Sequence, residues 1–244
     1  MIDAVFISDL HLHPNIPAIS ERFTRFVQWA AENTRAVYIL GDFFHVWAGD
    51  DSLDVWSKSI ASQLSWLADQ GVTLHYMHGN RDFLLGQQFA TLASLYILPD
   101  PSVIQLDGRR ILLTHGDSYC VNDRSHQWLR RLTRNRLFPK LFLSIPYRIR
   151  MRLVSQIRTY SQGNKRKPQW TMDVVPSVML SHMQKLGVNV VIHGHIHKPG
   201  LTVHSKNYQQ YVLSDWDDDP FVLCYNKASG FCFNPFEERC NVQT

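Results

Sequence analysis

The sequence predicts an α/β protein. Short apolar runs alternate with segments of helical spacing. Five of those runs stop at a cluster of Asp, Asn or His, and a long helical segment in the second half carries over half of the basic charge. Alternation of this kind makes sheets covered by helices. In open α/β sheets, ligands gather at the C-terminal ends of strands.

The elements follow in order. Residues 4–8 are a buried strand ending at Asp9. Residues 17–33 place Ile19, Phe23, Phe26, Val27 and Ala30 on one side, as an amphipathic helix does. Residues 36–40 form a second buried strand, ending at Gly41-Asp42. Residues 54–70 are helical, with Gly71 as the stop. Residues 72–77 make a third strand, ending at His78-Gly79-Asn80. Residues 102–106 and 110–114 flank Asp107-Gly108, a hairpin signal, and the second of them runs into His115-Gly116-Asp117. Helical spacing dominates 125–161, with breaks expected at Pro139 and Pro146. Residues 173–186 are a helix closed by Gly187, and 188–192 a strand ending at His193-Gly194-His195. Two or three further strands finish the chain, 211–213 and 221–225 among them.

A chain of 244 residues fits one domain, read here as a single unit over 1–244 with a helical insertion at about 123–170. No apolar run approaches the ~20 residues that span a bilayer. The N-terminus opens directly into a strand without a basic region, so no signal peptide and a cytoplasmic protein are expected. Cys120, Cys224, Cys232 and Cys240 form no C-x-x-C pair, which argues against zinc-ribbon and thioredoxin chemistry. The nearness of Cys120 to His115 leaves a catalytic thiol as a minor alternative. The net charge of +4 conceals a division. Residues 124–167 hold thirteen Lys/Arg and no acid, against 12 bases and 21 acids elsewhere. Such a run is a solvated surface, or one that faces phosphate on a nucleotide, a nucleic acid or an anionic membrane.

The strand-end residues offer two carboxylates (Asp9, Asp42), one amide oxygen (Asn80) and four imidazoles (His11, His115, His195, His197). Each fragment alone is common. Together they make a mixed N/O donor set suited to Mn²⁺, Fe²⁺ or Zn²⁺, and the lack of a thiolate argues against structural zinc. Gly41, Gly79, Gly116 and Gly194 let the backbone turn sharply beside the donors. Asp42 is the natural bridge between two cations. Two metals ~3.5–4 Å apart can share a hydroxide and orient a phosphate.

The order Asp-x-His, Gly-Asp, Gly-Asn-x-Asp, His, Gly-His-x-His over residues 9–197 resembles the calcineurin-like metallophosphoesterases. The resemblance implies a β-sandwich of two mixed sheets flanked by helices, here with the basic helical insertion as a lid. It implies one metal on Asp9, His11, Asp42 and His197, and another on Asp42, Asn80, His115 and His195.

Where most of that family carries a proton-donating histidine, this chain has Arg81. An arginine, with a pKa above ~12, cannot be a general acid, but it can grip phosphate oxygens. A leaving group stable without a proton is then favoured, and the phosphate released from a pyrophosphate is one. Gly79-Asn80-Arg81-Asp82-Phe83, Ser8-Asp9-Leu10-His11-Leu12, Leu40-Gly41-Asp42-Phe43-Phe44, the His115–Cys120–Asp123 spacing and the closing Asn234-Pro235-Phe236 are similar to the branch acting on UDP-2,3-diacylglucosamine, a lipid-linked nucleotide of lipid A synthesis. That branch implies attack at the α-phosphorus, releasing UMP and 2,3-diacylglucosamine 1-phosphate, with two ions taken to be Mn²⁺. It implies catalytic roles for Asp42, Asn80, Arg81 and His115, and substrate contacts at Asn80, Arg81, Asp123, Ser161, Asn164, Lys167 and His195. Ser161-Gln162-Gly163-Asn164 departs from the branch's usual Ser-Lys-x-x-Asn, which leaves the register of Asn164 and Lys167 open. A monomer at the cytoplasmic face of the inner membrane, without nucleic acid, is expected.

Within the insertion, Leu141, Ile145, Ile149, Leu153 and Ile157 recur every fourth position beside Arg148 and Arg152. The stripe can pack on the core or cover acyl chains, and a lid would do both. A pyrophosphatase of soluble dinucleoside polyphosphates would use the same metals and Arg81. A nuclease is disfavoured by the missing acid and the lack of stacking aromatics. A metal-free scaffold is disfavoured because every ligand position is filled.

Overall fold

The computed structural model describes residues 1–163, 168–217 and 220–236. Among them, eleven strands form two mixed sheets. The first contains β1 (Ala4–Ile7), β2 (Ala36–Leu40), β3 (Thr73–Met77), β4 (Leu95–Leu98), β10 (Phe221–Asn226) and β11 (Gly230–Pro235), in the order β11-β10-β1-β2-β3-β4. Strands β1 to β4 run parallel, and β10 and β11 close that sheet antiparallel. The second contains β5 (Ser102–Leu106), β6 (Arg109–Leu113), β7 (Val190–His193), β8 (Gly200–Val203) and β9 (Gln209–Val212), in the order β5-β6-β7-β9-β8, with β6, β7 and β9 parallel.

The sandwich follows from the period of two in a strand. Ala4 and Phe6 of β1, and Tyr38 and Leu40 of β2, share one core with Ile111, Leu113, Val190 and Ile192 of the second sheet. Their neighbours Val5, Ile7, Val37 and Ile39 turn outward, under α1 (Pro17–Asn33), α2 (Val55–Asp69) and α3 (Gln87–Leu92). Leu112 and Val191 turn the other way, under Met179 and Met183 of α8 (Pro176–Leu186). Each such buried side chain contributes ~1.5–3 kcal/mol. A one-residue slip would exchange the two faces, so register is tightly specified.

Most boundaries have local causes. Asp54 and Ser57 form a capping box at the head of α2. Helix α8 begins at Pro176 rather than at 173 because proline suits the first turn, where no amide hydrogen is needed. Pro139 likewise starts α5 (Phe138–Leu143) instead of breaking a helix. The rest of the insertion is α4 (Arg124–Thr133), α6 (Tyr147–Gly163) and α7 (Gln169–Met172). No helix among the described residues is long and apolar enough to cross a membrane.

Candidate metal centre and substrate cavity

Strands β1, β2, β3, β6 and β7 stop where the sequence places its polar clusters, and the two sheets bring those ends together. His115, after β6, bonds through Nδ1 to the Leu40 carbonyl of β2 at 2.9 Å. The His195 amide, after β7, donates to Asp9 Oδ2 at 2.8 Å. The approach is too close for side chains at two glycines. A Cβ on Gly41 would meet the Gly79 backbone at 2.6 Å, and one on Gly194 would meet Asp9 Oδ2 and Ser8 Oγ at 2.2 Å. Five donor residues adopt left-handed backbone: Asp9 (φ 55°), His11 (53°), Asp42 (52°), His195 (70°) and His197 (51°). Such residues cost about 1–3 kcal/mol each and gather at functional sites.

The donor atoms face one another. Asp9 Oδ2 accepts from Ser8 Oγ at 2.6 Å as well as from His195, whereas the buried Oδ1 has no hydrogen-bond donor. His197 Nε2 lies 3.3 Å from that Oδ1 and His11 Nε2 lies 4.0 Å from it. Asp42 points one oxygen at each half of the cluster, Oδ2 at His11 Nε2 (3.4 Å) and Oδ1 at His115 Nε2 (3.7 Å). Asn80 Oδ1 is 3.0 Å from His115 Nε2. Asp9, His11 and His197 bring ligand atoms within 4.8 Å of one another, as do Asp9, Asp42 and His115. The ring of His195 packs edge-on against His115 with centroids 5.1 Å apart. His115 and His197 commit Nδ1 to the Leu40 carbonyl and to Asp215 Oδ2 (3.0 Å), which leaves Nε2 turned to the cluster, as metal-bound imidazoles do.

Electrostatics agree with a cation site. Burial opposes ionisation of Asp9, yet His197, His115 and His11 hold its carboxyl well below the usual carboxylate range. Burial is likewise overcome at Asp42 by His115, His11 and Arg81, which leave it at about 2. Burial favours neutral His115, but Asp42, Asp9 and Asp117 push its pKa up to about 9: positive charge is drawn to this spot. Burial and the charge of His115 lower His195 to about 3, so its imidazole is neutral and free to ligate. With the orphaned Asp9 oxygen, this set of carboxylate, amide and imidazole donors fits divalent cations.

Four further acids order the site. Asp82, within the Gly-Asn-x-Asp motif, is buried, and its carboxylate accepts from the amides of Gly79 (2.8 Å), Phe43 (2.7 Å), Asp42 (3.3 Å) and Phe44 (3.4 Å). It ties two strand-end loops together. Asp215 orients His197, and it follows β9 just as the other polar clusters follow their strands, so the same strand-end signal could have found it. Asp100 and Asp117 receive Arg130 of α4 at 3.5 and 3.1 Å. Asp117 stands in the strand-end cluster His115-Gly116-Asp117, whereas no sequence signal marks Asp100, and the pairing of both with Arg130 is not local because that residue lies in a separate helix.

Asn80 and Arg81 open onto a cavity whose apolar lining includes Trp47, Phe83, Phe138, Phe142, Val154 and Ile157. Arg81 Nε lies 3.2 Å from Asp42 Oδ2. The insertion is tied to the body by its arginines: Arg150, buried, pairs with Asp51 and donates to the Leu143 carbonyl at 2.7 Å. Part of the basic run is therefore spent on holding the fold together. Core packing does not account for the apolar stripe either, since Leu141 is 68% exposed, Ile149 48%, Leu153 38% and Ile157 46%. Asp123 caps α4, its Oδ1 accepting from the His126 amide at 3.0 Å. Ser161 falls in α6. Asn164 and Lys167 lie outside the described residues.

The family profile of calcineurin-like phosphoesterases matches residues 3–199. A UDP-2,3-diacylglucosamine hydrolase from Pseudomonas paraeruginosa is 42% identical over 91% of this chain and 94% of its own length. One of the same name from Neisseria meningitidis is 39% identical over 98% of this chain and 100% of its own. Among solved structures, a dimetal phosphatase from Danio rerio superposes with a TM-score of 0.50 at 14% identity, over 92% of each chain, a likeness of fold.

Proposed function

Within the calcineurin-like phosphoesterase family, to which this chain belongs, we propose that it hydrolyses the diphosphate of UDP-2,3-diacylglucosamine in lipid A synthesis. Attack falls on the α-phosphorus and releases UMP and 2,3-diacylglucosamine 1-phosphate. The observation that carries this reading is the continuity of one cavity, from Arg81 beside Asp42 to the apolar wall of Trp47, Phe83, Phe138, Phe142 and Ile157. A substrate with its diphosphate at Arg81 lays acyl chain along that wall.

Asp9, His11 and His197 would hold one divalent cation; Asn80, His115 and His195 would hold a second, with Asp42 between. When bound, two such ions supply Lewis acidity and a water acidic enough to attack near neutral pH; Mn²⁺ suits the donors. Arg81 grips diphosphate oxygens through its planar fork and offers them fixed positive charge. It donates no proton, and the departing sugar phosphate needs none. Asp123, Ser161, Asn164 and Lys167 complete the substrate contacts. The insertion, about 123–170, acts as a lid on the single domain. Its exposed Leu141, Ile149 and Leu153 beside Arg148 and Arg152 suit an anionic membrane surface, in keeping with the reading of a monomer at the cytoplasmic face of the inner membrane.

Hydrolysis of UDP-2,3-diacylglucosamine in ¹⁸O water tests the reaction. Mass spectrometry should find the label in UMP. Label in the sugar phosphate overturns the attack site, and faster turnover of a dinucleoside polyphosphate overturns the substrate.

A further inference from the structure

Arg134 sits at the end of α4, outside every motif of the candidate site. Its Nη2 donates to the carbonyls of His78 at 2.9 Å and Gly79 at 3.1 Å, the two peptide units that lead into Asn80. The same Nη2 lies 3.7 Å from Asp100 Oδ2. The Asp100 side chain is 2% exposed, and its other oxygen accepts from Thr114 Oγ1 at 2.7 Å and from the His115 amide at 3.2 Å. One guanidinium from the insertion therefore stands behind both Asn80 and His115. Those two side chains face each other at 3.0 Å and belong to the same half of the donor cluster.

We propose that Arg134 is a positioning residue: docking of α4 through Arg134 and Asp100 sets Asn80 and His115 in place, so the second cation position is built only when the insertion is seated. This rests on the two-cation reading above. Among the described residues, Arg134 and Asp100 make no hydrogen bond or ion pair with Asp9, His11 or His197, so the other half of the cluster should not depend on them. Arg130 shares Asp100 at 3.5 Å but also holds Asp117, and it reaches no carbonyl before Asn80.

Arg134 also lines the cavity, so direct contact with substrate is the competing account. The two accounts differ in what they weaken. Mn²⁺ binding to the full chain is measured by titration calorimetry and by the spin-coupled signal of paired Mn²⁺ in electron paramagnetic resonance. In Arg134→Met, one of the two sites should lose roughly 10–100-fold in affinity, as loss of an outer-shell partner does, while the other is unchanged and the spin-coupled signal given by the wild type at two Mn²⁺ per chain is lost. Turnover should fall at low Mn²⁺ and recover at high Mn²⁺, with KM for UDP-2,3-diacylglucosamine within about twofold of wild type. Asp100→Asn, nearly the same shape, should give the same one-sided loss, which a general failure to fold would not. A raised KM with both Mn²⁺ affinities intact overturns the proposal, as does equal weakening of both sites. A wild-type chain that binds fewer than two Mn²⁺ overturns the proposal together with the two-cation reading. Two bound Mn²⁺ without cleavage of UDP-2,3-diacylglucosamine sinks only the proposed substrate.

Discussion

Asp82→Asn changes one atom type at the joint between two strand-end loops. The carboxylate is fully buried and accepts four amides, two of them at 2.8 Å or less. Asparagine must turn its NH₂ toward either Gly79 or Phe43. One short and one long bond are then lost, since each oxygen serves two amides, and the amide of the short bond left unpaired costs ~1–3 kcal/mol. The remaining short bond falls from a charged to a neutral acceptor, roughly another 1 kcal/mol. Against this, burial and the nearby Asp42 raise the Asp82 pKa, so removing the charge relieves some cost. The net loss is about 2 kcal/mol, or ~4–8 °C in Tm for a domain of this size. Thermal unfolding by circular dichroism, in EDTA so that bound ions add nothing, reads it directly. Turnover should also fall roughly tenfold or more, because the peptide units of Asp42 and Gly79 lose their shared anchor. A variant melting within about 1 °C of wild type with full activity would refute the account, and would mean that strand pairing alone sets the loops.

Arg81→Ala should retain two Mn²⁺ in a metal titration but lose roughly 10²–10³ in turnover of UDP-2,3-diacylglucosamine, the scale of removing one charged contact to a reacting group. Ile157→Glu should impair the diacylated substrate at least about tenfold more than a soluble phosphodiester assayed in parallel; equal losses would point to misfolding. His193 is buried, its Nε2 accepting from the Gln210 amide and its Nδ1 donating to the Gly194 carbonyl, each bond 2.8–2.9 Å long. Burial lowers its pKa from 6.5 to about 4. The unfolded chain therefore binds the extra proton first, and stability is full above pH 6.5 and declines toward pH 4, by roughly 3 kcal/mol from this residue. Melting curves over that range in EDTA should be flatter for His193→Gln. Cys120 is buried and its thiol is pushed up to about 12, by burial first and then by Asp117, Asp173 and Asp123. Cys120→Ser should therefore keep full hydrolysis, and iodoacetamide at pH 8 should spare Cys120 in the folded protein, as peptide mapping would show.

Much of the fold is local and could be read along the chain. The strands before Asp9, Asp42, Asn80, His115 and His195 are short, largely apolar runs. Helices α1 and α2 announce themselves by spacing and, for α2, by a cap. Helix α3 has six residues, and β4 and β8 have four each, too few for any period to show; β8 is also an edge strand with Leu201 and Val203 exposed. Pro139 and Pro146 read as breaks: Pro146 stands in the break between α5 and α6, whereas Pro139 lies in the first turn of α5, where a missing amide hydrogen costs nothing.

The sequence by itself determined the candidate donor set, Asp9, His11, Asp42, Asn80, His115, His195 and His197. Polar residues at the ends of buried strands are visible in one dimension, and their types name the chemistry. Only the tertiary structure decided how they are held. The Leu40 carbonyl that aims His115 is 75 residues away, and the Asp215 that aims His197 follows a different strand. The same is true of the basic segment. Its charge is plain in the sequence, but a run of arginines carries no direction. Arg130 and Arg134 turn inward to buried acids and to backbone carbonyls, Arg150 is itself buried and reaches the exposed Asp51, and others stay at the surface. Which ones turn depends on where Asp51, Asp100 and Asp117 stand in space, and on the cost of leaving Asp100, Asp117 and the Arg150 guanidinium unpaired beneath a covering helix.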